Sequence, residues 1–496
     1  MSGGRNLNRQ DRYWGRRDGA AQEEQEYGKD CDRIIFSSAF RRLSGVTQVV
    51  PGAMETSLFH NRLTHSLKVG QVSRIITRRV RELYEDHRRI KVALDRFGGK
   101  PDSRVAFAAS IAHDLGHPPF GHIAEEALKQ LLSPGHPTSY HDARYHLPDT
   151  FEGNAQTFRI VTRLAFRETV NPRKDAALNL TKATLAGIAK YPWRRLQDLP
   201  DDKELKSRQQ KKWNAYESER HLLDYAMNGI APRQATFHNT ARYEFRSMEA
   251  QIMDWSDDIS YAIHDVEDFY RAGIIPLDLI ATSSAHFDEF FNYAWPRLEN
   301  TLALVGMDGD EARKTFDVLR ARRFPQNPYQ GYRRDRETLH KFASEFIGDA
   351  TAGTTVTEDG LLLPDRESFA NTEILKELTW FYVIDRPSLS SAQRGQAELI
   401  RDLFDALRHW VEEMYSKPGG RGVGYTNSNL PPRLVEYVDI ALRQEDEGAA
   451  NYSTQQRVSR AVTDYIVALT ESQAVELGAR LSGRTSRSIL ENWFHM

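Results

Sequence analysis

The pattern of apolar and polar positions along this chain is typical of helices almost throughout. Apolar residues recur at spacings of three and four, and the alternation expected of strands is scarce. The helical patterns cover residues 33–43, 62–84, 105–113, 125–132, 154–164, 180–190 and 248–272. Residues 47–50 are too few to test by pattern, so a brief strand there stays open. The pattern therefore predicts a mainly α-helical fold of the all-α class.

The composition limits the location and the partners of the chain. A single cysteine, Cys31, in 496 residues excludes a disulfide framework and is typical of a reducing cytoplasm. The 67 basic and 69 acidic residues nearly cancel, so no overall charge draws the chain to nucleic acid or to a membrane. Because no run of about 18 apolar residues exists, we expect a cytoplasmic protein without a membrane span.

The segment 110–122 is the richest in candidate chemistry. It contains His113, Asp114, His117 and His122 within ten residues, directly after a stretch of small apolar residues. That stretch predicts a buried helix, and a buried His and Asp at its end need partners. Imidazole nitrogen and carboxylate oxygen together are ligands for Zn, Mn, Fe, Co or Ni, and less typically for Mg. The segment therefore predicts part of a metal site, which needs further ligands from elsewhere.

The dipeptide His-Asp alone carries little information. It recurs at 141–142 and at 264–265, and a single His is more often a hydrogen-bonded core or surface residue than a ligand. The copy at 113–114 differs in its setting, because an apolar helix precedes it and two histidines follow it.

Two further stretches supply candidate ligands. His65 lies near the start of the helix predicted over 62–84, with Arg62 one turn before it, which places a cation beside a candidate ligand. Asp257, Tyr261 and Asp265 follow at intervals of four and so share one face of the helix predicted over 248–272. A capped surface helix and a solvated acidic face are the ordinary alternatives, but the apolar residues around Tyr261 favour a buried helix.

Taken in order, these segments resemble the HD superfamily of metal-dependent phosphohydrolases. More narrowly, the chain resembles its deoxyguanosine triphosphate triphosphohydrolase family, often called dGTPase-like. The matching stretches are 32–43 (DRIIFSSAFRRL), 47–49 (TQV), 61–66 (NRLTHS), 113–122 (HDLGHPPFGH), 151–156 (FEGNAQ), 190–193 (KYPW) and 257–261 (DDISY). They run in family order over about residues 30 to 270, and the second half of the chain matches less distinctly.

The resemblance implies a reaction and a set of site residues. The reaction is hydrolysis of a deoxynucleoside triphosphate to the deoxynucleoside and inorganic triphosphate. One divalent ion, whether Mn, Mg, Co, Fe or Zn, would be held by His65, His113, Asp114 and Asp257. His122 with Glu125 would transfer a proton, whereas His117 would orient the water, bind phosphate or serve the structure alone. The implied substrate contacts are Arg62, Lys190 and Tyr191 for the triphosphate, Gln48 and Asp265 for the 3′-hydroxyl, and Tyr261 for the sugar face.

The expected organisation has three parts. Residues 1–28 form a flexible or partner-bound polar arm, residues 29–275 the HD-domain catalytic core, and residues 276–496 a helical C-terminal region that completes the pocket and the oligomer contacts. Within the core, the charged stretch 197–220 is interpreted as a mobile lid. The resemblance further implies a homo-oligomer, for example a hexamer, and a nucleotide or single-stranded DNA effector.

Two alternative functions stay open. The first is an HD-type nucleotidase or phosphodiesterase that releases a different product. The second is a nucleic-acid-binding regulatory protein whose metal site is vestigial, although a degenerate site should have lost at least one of the four implied ligands. The absence of a Gly-x4-Gly-Lys-Ser/Thr phosphate loop excludes a P-loop nucleotidase.

Overall fold

Helices make up most of the structure, which is a computed structural model. It describes residues 8–14, 23–48, 59–165, 177–238, 240–385, 387–415, 429–443 and 452–485. Among these residues the strands form only two small antiparallel hairpins, so the expectation of a mainly α-helical fold is confirmed.

The elements of the first half of the chain carry most of the segments singled out above. The helices are α1 (Glu23–Ile35), α2 (Ser38–Arg42), α3 (Arg62–Asp86), α4 (Arg88–Arg96), α5 (Ser103–Ala112), α6 (His122–Leu132), α7 (Gly153–Arg159), α8 (Lys182–Ile188), α9 (Lys203–Lys211), α10 (Arg220–Met227) and α11 (Met248–Arg271). Strands β1 (Arg233–Phe237) and β2 (Thr240–Glu244) pair as one hairpin. Thr47 makes a single antiparallel bridge with Asn61, which is all the strand character at 47–48; Val49 and Val50 lie outside the described residues.

The second half of the described chain is also helical. Its helices are α12 (Leu277–Thr282), α13 (Ser284–Ala303), α14 (Gly309–Arg323), α15 (Arg333–Ala352), α16 (Arg366–Thr379), α17 (Pro387–Tyr415), α18 (Pro432–Arg443), α19 (Thr454–Val467) and α20 (Glu471–Leu481). Strands β3 (Thr354–Val356) and β4 (Leu362–Pro364) form the second hairpin. No described helix combines the length and the apolar character that crossing a membrane requires.

Polar caps fix where the site helices begin. The Asn61 side chain accepts the Thr64 N–H (3.0 Å) at the start of α3, and Asp102 and Ser247 cap α5 and α11 in the same way. Ser37 likewise caps α2, which divides the helix predicted over 33–43 into two. The predicted helix is interrupted there because the Ser37 side chain satisfies a free N–H group in the first turn of α2.

The core lies around α5, whose residues from Val105 to Ala112 are all buried. Helix α5 packs against α1, α3, α8 and α11, and this enclosure on every side explains why its sequence is apolar on every face. One hydrophobic cluster joins the end of α5 and α6 to α17, α18, α19 and α20. A second joins α3 and α11 to α13, α14, α15 and α16. The described residues of 276–496 are therefore divided between two hydrophobic clusters, and each cluster also includes residues of the predicted core 29–275.

The predicted arm 1–28, in its described residues, and the predicted lid 197–220 are more structured than the sequence pattern indicated. In the predicted arm 1–28, the guanidinium of Arg12 is buried and pairs with Glu26 and Asp30, and α1 begins at Glu23. Residues before position 29 are thus part of the packed structure, since a buried guanidinium is stable only when carboxylates pair with it. The predicted lid 197–220 forms α9 and a packed aromatic cluster around the fully buried Trp213.

Candidate functional site

Three helices bring the candidate metal ligands together. His113 directly follows α5, His65 lies in the first turn of α3, and Asp257 lies in the middle of α11. His65 Nε2 and His113 Nε2 approach Asp257 Oδ1 at 3.1 and 3.4 Å. Asp114 Oδ1 lies 3.3 Å from the same His113 nitrogen. His65, His113 and Asp257 therefore direct ligand atoms at one small volume, and Asp114 adjoins it beside His113.

The imidazole rings present the nitrogens that a metal ion needs. His113 Nδ1 lies 2.6 Å from the Ser110 carbonyl oxygen, and because a carbonyl can only accept, Nδ1 carries the proton. In the neutral form of His113 the lone pair is then on Nε2, which faces His65 and Asp257. The donor atoms of these three residues lie within 4.8 Å of one another. Two imidazoles with neighbouring carboxylates fit a divalent transition metal.

The structure distinguishes the two adjacent aspartates of α11. Asp257 Oδ1 faces the two histidines, while Asp257 Oδ2 accepts from Lys190 Nζ at 3.1 Å. Asp258 instead pairs with Lys376 of α16, whose Nζ lies 2.7 Å from Asp258 Oδ1. Adjacent residues on a helix point about 100° apart, so only Asp257 reaches the histidines.

His65, His113 and Asp257 are called the metal group below, and Asp114 connects this group to Arg62. Asp114 Oδ2 accepts from Arg62 Nη1 at 2.7 Å, and Asp114 Oδ1 lies 3.0 Å from His117 Nδ1. Burial alone would raise the pKa of Asp114, but the charges of His113 and Arg62 bring that pKa well below its ordinary value. Asp114 is therefore ionised, as a metal ligand must be.

A second polar group lies on the other side of His117. His122 Nδ1 lies 3.1 Å from Glu125 Oε2, and the rings of His117 and His122 are 5.5 Å apart. The Glu125 carboxylate is buried, whereas 72% of the His122 side chain is exposed. An imidazole held by a carboxylate and open to water is suited to proton transfer.

Lys212 belongs to this second group and was missed in the sequence. Its Nζ lies 2.7 Å from Glu125 Oε1 and 3.1 Å from Glu152 Oε1. Burial would raise the pKa of Glu125, but Lys212 and His122 lower it well below the ordinary value. The signal in the sequence was Trp213, which with Tyr216 lies within the charged stretch 197–220. A buried Trp carries the preceding residues toward the core.

The predicted sugar contacts lie one and two turns beyond Asp257. Tyr261 is half-buried, and its hydroxyl interacts with the Asp265 carboxyl. Asp265 is buried, and burial followed by the nearby charge of Asp268 raises the pKa of Asp265 well above its ordinary value. Asp265 Oδ2 and Gln48 Oε1 are both buried without a hydrogen-bond partner among the described residues. Each can accept a hydrogen bond from a bound hydroxyl.

The two triphosphate candidates on the loop after α8 are placed differently. Lys190 Nζ lies 2.8 Å from Asp254 Oδ1 and also reaches Asp257, so it adjoins the metal group. Tyr191 is half-buried against the cluster around Trp193, with ring centroids 6.0 Å apart.

The other His-Asp dipeptides do not form comparable groups. At 141–142 the histidine is exposed, and Asp142 caps a short helical turn. His264 lies behind the metal group, edge-on to His65 with ring centroids 5.9 Å apart. The setting of each dipeptide, and not the dipeptide itself, decides its role.

Close packing fixes the turn between His113 and His122. A Cβ atom at Gly116 would lie 2.1 Å from the Gly153 carbonyl oxygen, and one at Gly121 would lie 2.9 Å from Arg62 Nη2. Phe120 and Gly121 both have positive φ angles, 69° and 55°. Only glycine tolerates these two approaches, so the sequence of this turn is determined by its neighbours.

Comparisons with known proteins agree with this geometry. An HD domain is matched over residues 62–185, which contain His65, His113 and Asp114. A deoxyguanosinetriphosphate triphosphohydrolase-like protein of Streptomyces coelicolor is 30% identical over 92% of each chain. Proteins with the same description from Mesorhizobium japonicum and Corynebacterium efficiens are 26% and 28% identical, over 94% of both chains for the first and 92% of this chain and 91% of the relative for the second.

Proposed function

Because the chain belongs to the deoxyguanosinetriphosphate triphosphohydrolase-like family of HD-domain phosphohydrolases, we propose that it hydrolyses deoxynucleoside triphosphates to the deoxynucleoside and inorganic triphosphate. The observation that carries the proposal is the convergence of His65, His113 and Asp257 beside two cations, Arg62 and Lys190. Ligands for an ion and cations for phosphate are thereby joined in one site.

In this proposal His65, His113, Asp114 and Asp257 hold one divalent ion. When bound, such an ion supplies positive charge against the phosphate oxygens and makes water more acidic. The donor set of two imidazoles and two carboxylates accepts Mn, Fe, Co and Zn and, less typically, Mg.

Arg62 and Lys190 would neutralise the triphosphate, with Tyr191 beside them. Arg62 now pairs with Asp114, and Lys190 with Asp254 and Asp257. Both cations keep further N–H groups for phosphate oxygens, since a guanidinium has five and an ammonium three. The same cations hold the carboxylates in their ionised form.

His122 and Glu125 would move the proton. Attack of water on the α-phosphorus expels the 5′ oxygen of the nucleoside, so a proton must leave the water and another must reach the leaving oxygen. The Glu125 carboxylate orients the His122 ring through Nδ1 (3.1 Å), which leaves Nε2 for either task. His117, between the two groups, would orient the water or a phosphate oxygen.

The deoxyribose would lie against α11. Asp265 and Gln48 each carry a buried unpartnered acceptor, and a 3′-hydroxyl, which has one O–H donor, would donate to one of the two. Tyr261, one turn before Asp265, would stand where a ribose 2′-hydroxyl would clash. A homo-oligomer and a nucleotide or single-stranded DNA effector stay predictions of the family resemblance.

Product analysis tests the proposal. Purified protein is incubated with each of the four deoxynucleoside triphosphates and Mg or Mn, and products are identified by phosphorus NMR. Inorganic triphosphate with free deoxynucleoside is the expected result, and it also gives the base preference. Pyrophosphate or orthophosphate would indicate a different HD nucleotidase. No turnover with any substrate, effector nucleotide or single-stranded DNA would favour a regulatory protein.

A further inference from the structure

The first residue of α20, Glu471, reaches back to two segments of the N-terminal half. Glu471 Oε1 accepts from the Thr47 N–H at 3.0 Å, from the Thr47 hydroxyl at 2.6 Å and from the Phe120 N–H at 3.2 Å. One oxygen thus accepts from residues that are 73 positions apart in the sequence. Hydrogen bonds to an ionised carboxylate are roughly twice as strong as neutral ones.

Each of these two segments leads directly to a residue of the proposed site. Thr47 precedes Gln48, the candidate for binding the 3′-hydroxyl. Phe120 lies two residues before His122, the candidate for proton transfer, in the turn with positive φ angles. A non-glycine residue with positive φ is strained and stays so only where its surroundings hold it. The Phe120 N–H bond to Glu471 is such a restraint.

The corner between α19 and α20 makes a second connection to the same part of the site. Arg42 Nη1 donates to the Leu469 carbonyl oxygen at 3.1 Å, and Arg42 Nη2 donates to the carbonyl oxygens of Leu115 and His117 at 2.9 and 2.8 Å. Thr470 lies so close to Gly45 that a Cβ atom there would be 2.7 Å from Thr470 Cγ2. The corner is therefore packed tightly against the segment that leads to Gln48.

We propose that Glu471 is a positioning residue that fixes Gln48 and His122 relative to each other. The inference rests on the proposed function for the roles of Gln48 and His122, but the contacts of Glu471 do not. Among the described residues Glu471 accepts hydrogen bonds from Thr47 and Phe120, and from none of the proposed metal ligands, so it acts through the two backbone segments that it joins. The C-terminal region thereby helps to set the geometry of the site without contributing a catalytic residue.

Substitutions at Glu471 separate positioning from charge. Glu471→Gln keeps an oxygen acceptor and loses the negative charge, whereas Glu471→Ala loses both. If Glu471 positions the site, the glutamine variant retains most activity and the alanine variant lowers kcat about tenfold or more. Glu476→Gln is the matched control, because Glu476 pairs with Arg480 on the same helix, and we expect it to behave as wild type. Thermal unfolding of each variant measures any loss of stability.

Discrimination for the 3′-hydroxyl gives a readout that a purely structural role would not move. Wild type should prefer a deoxynucleoside triphosphate to its 2′,3′-dideoxy analogue, and Gln48→Ala should reduce that preference in kcat/KM. We expect Glu471→Ala to reduce it by a similar factor and to add little in the Gln48→Ala background, since both changes remove the same contact. Unchanged discrimination in Glu471→Ala, or full additivity of the two changes, would overturn the inference.

Hydrogen exchange tests the same inference without any activity. In Glu471→Ala the amides of Thr47 and Phe120 lose their acceptor, so peptides covering 44–48 and 118–124 should exchange faster than in wild type. Peptides of α5 serve as the internal reference. Unchanged exchange in both peptides would overturn the inference, even if wild type hydrolyses no triphosphate. Absence of hydrolysis by wild type with faster exchange would overturn the proposed function alone.

Discussion

Two polar groups flank His117, and they use the same residue types in opposite surroundings. In the metal group the His65, His113 and Asp257 side chains are 1%, 6% and 20% exposed. In the second group, His122 is 72% exposed although its partner Glu125 is buried. Buried imidazoles keep the fixed geometry that an ion needs, whereas an exposed imidazole can exchange protons with solvent. Exposure, more than residue type, separates the two roles.

The difference arises from where each residue lies on its helix. His113 directly follows α5, which is enclosed on all sides, and His65 is a buried residue in the first turn of α3. His122 begins α6, after a turn that brings the chain back to the rim of the site. The two groups meet at His117, whose Nδ1 lies 3.0 Å from Asp114 Oδ1 and whose ring lies 5.5 Å from that of His122.

The strongest test of the metal group is Asp257→Ala. We expect it to abolish both metal binding and turnover, because it removes a carboxylate that faces both histidines. Metal content by elemental analysis and triphosphate release measure the two effects, and circular dichroism checks that the protein stays helical.

The neighbouring aspartate provides the control for this change. Asp258→Ala breaks the pair with Lys376 but leaves every proposed ligand in place, so metal content should stay at the wild-type level. If Asp258→Ala lost the metal and Asp257→Ala kept it, the assignment of the ligand would be wrong.

The second group, which contains His122 and Glu125, is tested by His122→Ala. Because the change removes the proposed proton carrier and none of the proposed metal ligands, we expect kcat to fall about 10²- to 10⁴-fold with the metal content unchanged. His141→Ala is the control, since His141 is an exposed histidine of another His-Asp dipeptide. Normal turnover of His122→Ala would show that His122 is structural and that the comparison between the two groups fails.

Lys212→Met tests Glu125, the buried carboxylate of the second group. Without this ammonium, the buried carboxylates of Glu125 and Glu152 lose their shared partner, so the pKa of Glu125 should rise. Because Glu125 must be ionised to hold His122, activity should be lost at a higher pH than in wild type as the pH falls. We expect kcat near neutral pH to fall about tenfold.

The pH profile of Lys212→Met is the decisive measurement. Lys211→Met is its control, because Lys211 is exposed and adjacent in the sequence. An acid limb that does not move in Lys212→Met would show that Glu125 is held in its ionised form by other groups.

The helices could be predicted from the sequence because their signals are local, whereas the candidate metal ligands were implied by the resemblance to the HD superfamily. The period of apolar residues over 248–272 corresponds to α11 (Met248–Arg271), and the segment around His113 combines an apolar helix with clustered ligands. Lys212 and Glu471 could not be predicted in this way. Each reaches the site through tertiary packing. Lys212 precedes the buried Trp213, and Glu471 follows the corner between α19 and α20. No local pattern specifies which residue such packing brings into contact.

Substitutions at Tyr261 test the proposed sugar contact, and the expected effect is on the choice of sugar and not on metal binding. If its ring excludes a 2′-hydroxyl, Tyr261→Ala should let ribonucleoside triphosphates compete better and reduce the preference for deoxynucleotides about tenfold in kcat/KM. Tyr261→Phe keeps the ring and loses only the hydroxyl beside Asp265, so it should keep the preference. Equal losses in both variants would indicate that the hydroxyl, acting through Asp265, selects the sugar, and unchanged preference in both would place the 2′ carbon elsewhere.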